Sequence, residues 1–234
     1  MKKKLTLVVT CVVLVAAMVI GGTLAYFTDT KSAENTFTVG DVKIKLDEAV
    51  PGGDGERTEK GVEYTNITPG IAYGKDPVVT NTGKNDAYVR LIVTIENGMN
   101  WMGLYNDNVW TAPQEEAFMA LINNTLGEDW TLEDIDYVTN AKWGSTDFVA
   151  TLVYNKTLAP NDVTTAAFTQ VKLPKKATAS DITTRVTQSG TFRIDVVAQA
   201  IQTAGFEDTL GEDGTTVVKT AMENAWAAFE AQAK

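Results

Sequence analysis

The chain is 234 residues long, enough for one large domain or two small ones, and 44% of it is hydrophobic, which supplies a buried core and excludes wholesale disorder. Its formal net charge is -10, and the only strongly basic run is Lys2-Lys3-Lys4 at the N-terminus. That balance excludes nucleic acid as a partner, since phosphate binding needs a cationic patch, and it disfavours an anionic membrane surface.

Residues 1–25 show three zones in order: the lysines, an apolar run from Leu5 to Ile20, then Gly21-Gly22-Thr23-Leu24-Ala25. This is the layout of a secretory signal peptide, read by a signal peptidase during export. Thr23 and Ala25 occupy the -3 and -1 positions, which makes Tyr26 the first mature residue. The alternative is an uncleaved anchor, because Leu5 to Ala25 carries no charge and is long enough to span a bilayer. The glycine pair and the small residues favour cleavage. The one cysteine, Cys11, lies inside the apolar run behind Val9-Thr10, which does not fit a lipid-attachment site. Cleavage therefore leaves no thiol, so neither a disulfide framework nor a cysteine nucleophile is available.

The mature chain, 26–234, reads as one mostly β domain. In Asp41 to Asp47, Val42, Ile44 and Leu46 alternate with charged residues, the pattern of a half-buried strand. Pro51 to Gly55 is a loop, and Asn81 to Asp86 turns the chain between strands at Pro77–Thr80 and Ala87–Glu96. In the latter, Val89, Leu91, Val93 and Ile95 share one face, with Arg90, Thr94 and Glu96 on the other. A helix is expected over Pro113 to Leu126, with Glu115 and Glu116 in its first turn. It sits in a helical insertion spanning about 98–145 that also holds Trp101, Trp110, Trp130 and Trp143. Phe148 to Tyr154 is more uniformly apolar than the other runs and predicts a central strand. Val163 to Leu173 is β-rich, with a slip near Phe168 that predicts a bulge. Phe192 to Ala200 alternates again, and residues 217–233 place Val218, Met222, Ala225, Trp226 and Phe229 at helical spacing, an amphipathic lid. Antiparallel strands with such turns predict a sandwich or jelly roll.

The stretch Gly21 to Thr30, followed by Ala33 to Val42, resembles the start of the TasA/camelysin family. Pro69-Gly70, Lys75 to Arg90, Leu158-Ala159-Pro160 and Ala198 to Gln202 are similar to that family's recurring strand-and-turn pattern. The resemblance implies export through a dedicated signal peptidase of a subunit that builds biofilm-matrix fibres, and a secreted domain without disulfides fits a Gram-positive type of cell. Some members of that family are described as metallopeptidases. A zinc peptidase needs imidazole ligands, and this chain contains no histidine, so that activity does not carry over. The usual serine and cysteine triads fall with it. No metal, no cofactor and no catalytic residue is expected, and a secreted hydrolase is the least supported reading.

Carboxylates cluster at Glu128-Asp129, Glu133-Asp134-Asp136 and Glu207-Asp208 to Glu212-Asp213. Calcium takes such ligands, but none follows the EF-hand loop, and solvated acidic loops are expected. The tryptophans either form a sugar-binding platform, which would make the protein a monomeric adhesin or carbohydrate-binding module, or pack the insertion onto the sandwich, which is favoured. The segment with most functional content is the new N-terminus: Tyr26, Phe27, Thr28, Phe37 and Val39 are β-prone and precede the first strand. An extended segment of this kind either pairs within its own domain or adds to the open sheet of a second copy. Repeated head to tail, the second contact makes a homopolymer, with room for an accessory matrix protein.

Overall fold

The structure, a computed structural model, describes residues 28–31, 36–38, 42–49, 55–58, 61–64, 68–96, 98, 114–140, 145–175, 193–211, 213 and 215–232. Its strands are β1 (Thr28–Lys31), β2 (Thr36–Thr38), β3 (Ile44–Ala49), β4 (Gly55–Thr58), β5 (Gly61–Tyr64), β6 (Ala72–Gly74) and β7 (Asp76–Asn81). They continue with β8 (Ala87–Ile95), β9 (Trp130–Asn140), β10 (Ser145–Tyr154), β11 (Gln170–Lys172), β12 (Ile194–Gln202), β13 (Thr209–Leu210) and β14 (Val217–Lys219). The helices are α1 (Gln114–Leu121) and α2 (Ala221–Gln232).

Alternation in the sequence becomes strand geometry in three places. Ala87, Val89, Leu91, Val93 and Ile95 of β8 are buried, with Tyr88, Ile92 and Thr94 half-buried on the other face. In β12, Val196, Ala198 and Ala200 are buried while Asp195 is exposed. Val42 and Ile44 are buried between exposed Lys43 and Lys45. One six-stranded sheet results, in the order β2-β1-β12-β8-β10-β9, and every strand pairing described is antiparallel. β10 lies inside it, as its apolar run predicts.

The second layer is built from the pairs β3-β7 and β6-β11. Its Val42, Ile44, Tyr73, Val79 and Val171 share one core with the inward residues of β8, β10 and β12 and with Phe118, Leu121 and Ile122 at α1. Each such aliphatic or aromatic side chain contributes about 1.5–3 kcal/mol by leaving water. This is the expected antiparallel sandwich, with one helix at its side and one at the C-terminus.

Buried polar groups in it are paired. Asn81 is fully buried, and its Nδ2 donates to the carbonyls of Asn85 at 2.8 Å and Leu158 at 2.9 Å, while its Oδ1 accepts from Gly83 N at 2.9 Å. One side chain thus closes the turn into β8 and ties it to Leu158. Lys75 reaches both carboxylate oxygens of Glu48 at 2.7 Å, with the two side chains 7% and 9% exposed. Removing either partner strands a buried charge, at about 3–5 kcal/mol.

Three expectations change. The stretch 98–145, read as a helical insertion, holds α1, which ends in left-handed Asn123 (φ 53) and Asn124 (φ 56), but its second half is the strand β9. Glu133, Asp134 and Asp136 therefore stand on a strand, not in an acidic loop. The reason lies in the register: Thr151 pairs with Asp134 and Leu152 with Leu132, so Glu133 bulges out. The inward series Trp130, Leu132 then resumes out of phase at Ile135 and Tyr137, which hides the period of two.

In Val163 to Leu173 only β11 is a strand, with isolated bridges from Val163 to Thr80 and from Phe168 to Leu126. Side chains hold the rest in place of a ladder: Thr164 Oγ1 accepts from Val79 N at 3.0 Å, and Thr125 Oγ1 accepts from Thr169 N and Gln170 N at 3.1 Å. Finally, α2 begins at Ala221, because Thr220 and Glu223 form a reciprocal cap. Thr220 N donates to Glu223 Oε2 at 2.6 Å and Glu223 N to Thr220 Oγ1 at 3.2 Å. Val218 falls outside the helix, on β14, and is exposed.

Candidate functional site

The N-terminal segment enters the structure as the hairpin β1-β2 on one edge of the large sheet. β1 pairs with β12 with Thr28 opposite Ile201, Asp29 opposite Ala200, Thr30 opposite Gln199 and Lys31 opposite Ala198. On its other side Asp29, Thr30 and Lys31 pair with Thr38, Phe37 and Thr36 of β2, the outermost strand. Of the residues expected to assemble, Thr28 opens β1 and Phe37 lies in β2. Tyr26, Phe27 and Val39 lie outside the described residues, as do the export segment 1–25 and its cleavage residues Thr23 and Ala25. In this single copy Thr28–Lys31 completes its own sheet, the alternative the sequence leaves open.

The strand it covers is held on both faces. Ala198 and Ala200 of β12 point into the inter-layer core and are fully buried. On the opposite face, Ile201 packs with Ala225 and Trp226 of α2, alongside Tyr88, Phe206, Met222 and Phe229. Gln199 Oε1 accepts from Arg90 Nε at 2.7 Å. The same guanidinium donates through Nη1 to Glu230 Oε1 at 2.9 Å and lies 4.4 Å from the Trp226 ring centroid and 5.2 Å from that of Phe229. Stacking of this kind contributes about 0.5–2 kcal/mol, more as water is excluded.

Arg90 is only 7% exposed. The sequence placed it on the polar face of β8 but did not predict its burial. The available signal was the spacing of Trp226 and Phe229, two rings on one face of an amphipathic helix, able to stack an arginine between helix and sheet. Beside this cluster the Glu133 carboxyl is pushed above its ordinary range, chiefly by partial desolvation; Glu230, Asp134 and Glu223 add to the rise and Arg90 opposes it.

The other candidate features resolve into structural roles. Trp130 is 3% exposed, tilted 5.1 Å from the Tyr154 ring, and its Nε1 donates to the Thr165 carbonyl at 3.0 Å. It is core and offers no platform to a sugar. Trp101, Trp110 and Trp143 lie outside the described residues. Asp129 is paired with Lys156 at 2.6 Å, and that bond holds its carboxyl below the usual range. Asp208 Oδ1 accepts from Ala221 N at 2.7 Å at the start of α2. Asp213 accepts from Thr216 Oγ1 and from the amides of Thr215 and Thr216, which lower its carboxyl to about 2.

A zinc-peptidase centre does not fit this donor set. The chain has no imidazole, its one thiol is Cys11, and the acidic side chains just traced are spent on caps, turns and ion pairs. Among the described residues no group of three His, Cys, Asp or Glu is placed to hold a metal ion. No described helix is long and apolar enough to cross a membrane.

No curated protein and no solved structure matches the chain. A family model described as Camelysin metallo-endopeptidase matches residues 1–99. Those residues include the hairpin β1-β2 and the strands through β8, whereas β12 and α2 lie beyond them. Over residues 1–99 the chain is similar to the camelysin family, and the match supports the TasA/camelysin resemblance carried by Gly21 to Val42.

Proposed function

We propose that this chain is a secreted, matrix-type structural protein whose copies join by exchanging the N-terminal hairpin. The supporting observation is the position of that hairpin. β1-β2 lies at the rim of the sheet and meets β12 through the four residues of β1. Its departure would break that pairing while β8 still holds the other side of β12. The edge it vacates, Ala198–Ile201, would then accept the same segment from a second copy. Such an exchange recovers in a neighbour the contacts given up at home, so the free-energy difference is small and concentration decides it. Head-to-tail repetition makes an open chain of subunits, in keeping with the family's fibre-forming members.

Export then acts as the switch, since a Tyr26 still tied to the signal segment cannot enter another subunit. The non-catalytic reading rests on chemistry: the peptidase named in the family description needs donors that this sequence lacks. The test is negative-stain electron microscopy of protein starting at Tyr26, beside protein lacking Tyr26 to Asn35. Filaments are expected from the first and none from the second. A mature protein that stays a single particle at high concentration would end the strand-exchange reading.

A further inference from the structure

Four residues of β12 pair with the N-terminal strand, and the same four are gripped from both sides. Ala198 and Ala200 are fixed in the core, while Gln199 and Ile201 alternate to the opposite face, where α2 lies. The coincidence is one of period: a window of four strand residues presents two side chains to each layer. Nothing else among the described contacts of Gln199 and Ile201 on that face comes from outside β8, α2 and the turn carrying Phe206.

We propose that α2 is a clamp on the acceptor strand and that Arg90 is its positioning residue, required for the Ala198–Ile201 edge to stay extended while no N-terminal strand is paired to it. The proposal rests on the strand-exchange reading, and the partner it serves is a second copy of this chain. An edge strand stripped of its neighbour loses one ladder of backbone hydrogen bonds, and strands so exposed fray. A frayed β12 cannot template an incoming strand, because pairing needs the extended backbone already in register. Arg90 prevents fraying through three simultaneous contacts: a hydrogen bond to Gln199 on the window, an ion pair to Glu230 on α2, and stacking on Trp226 and Phe229. Its own backbone pairs with Gln199, so side chain and main chain act on the same acceptor residue. Lysine cannot reproduce this, since a single ammonium lacks the planar fork and the stacking face.

Hydrogen exchange on the full mature chain, read amide by amide, tests this. In Arg90→Met, exchange at Ala198–Ile201 should rise at least tenfold while the amides of β10, at Val149 to Val153, keep their wild-type rates. The rate of filament growth should fall by the same order. Arg90→Lys should recover only part of both. Glu230 is 60% exposed, so Glu230→Gln should fold in any case and raise exchange in the window a few-fold. Unchanged exchange at Ala198–Ile201 in both Arg90→Met and Glu230→Gln overturns the clamp, and so does a rise spread equally over β10. A local rise in a protein that never forms filaments leaves the clamp standing and removes the strand-exchange reading instead.

Discussion

The two edges of the six-stranded sheet are built on opposite plans. One is the hairpin β1-β2, a strand of four residues backed by one of three. The other is β9, eleven residues long and paired with β10 over its whole length. A long bare edge invites other chains, and β9 carries the usual deterrents: a bulge at Glu133 that bends the strand, and exposed Glu133, Asp134 and Asp136 along it. β1, by comparison, meets β12 through four residues only. On the strand-exchange proposal, the difference is that β9 is guarded against further pairing while the short β1-β2 rim is the one exchanged.

The sharpest way to break this comparison is to lock the replaceable edge. Thr30 and Gln199 are directly opposed across β1 and β12, within the reach of a disulfide, and the mature chain has no competing thiol. Thr30→Cys with Gln199→Cys should form filaments when reduced, more slowly than wild type because Arg90 loses its acceptor on β12, and none when oxidised, as scored by sedimentation with and without reductant. Oxidised protein that still assembles would mean the hairpin stays at home during assembly.

The next effect tests what both edges lean on. Phe148 of β10 stacks on Phe118 of α1 at 6.1 Å and meets Tyr137 of β9 edge-on at 5.6 Å. Phe148→Ala should cost about 3–5 kcal/mol in urea unfolding, loosening the β9 side while β12 amides keep their protection. Equal loss of protection at both edges would show that the sheet opens as one unit.

How much of this was legible in the sequence follows from the same residues. β3, β8 and β12 could be read because their alternation runs unbroken from Val42, Ala87 and Val196. β9 could not, because the extra residue at Glu133 shifts the phase, a fact fixed by its partner β10 and invisible in β9 alone. The N-terminal segment was legible as β-prone, but its place beside β12 depends on residues at the far end of the chain. Arg90 was read as outward-facing, which is correct, and its burial is supplied by α2. The helix boundary at Ala221 turned on the Thr220–Glu223 cap, which periodicity alone passes over.

The smallest effect concerns the charge on the closed edge. Glu133 ordinarily titrates near 4.5; although the residue stays exposed, partial desolvation of its carboxyl raises it in the fold, with help from Glu230, Asp134 and Glu223. A carboxyl raised on folding binds its proton more tightly in the native state, so its ionisation opposes folding. That penalty is absent below the ordinary value and complete above the raised one. Glu133→Gln should therefore raise the melting temperature slightly at pH 7 and leave it unchanged at pH 4. An equal shift at both pH values would assign the gain to packing at the bulge instead.

The pairing of Thr28 with Ile201 also sets an order of events in time. A chain made amino end first presents its leading strand long before the matching segment is complete, and contacts this distant in sequence form late. During that interval the leading strand is unpaired, and any finished molecule nearby competes for it against the chain's own unfinished tail. On the strand-exchange proposal, where many copies emerge together the neighbour has the head start, so a high local concentration of new molecules would favour joining over closing.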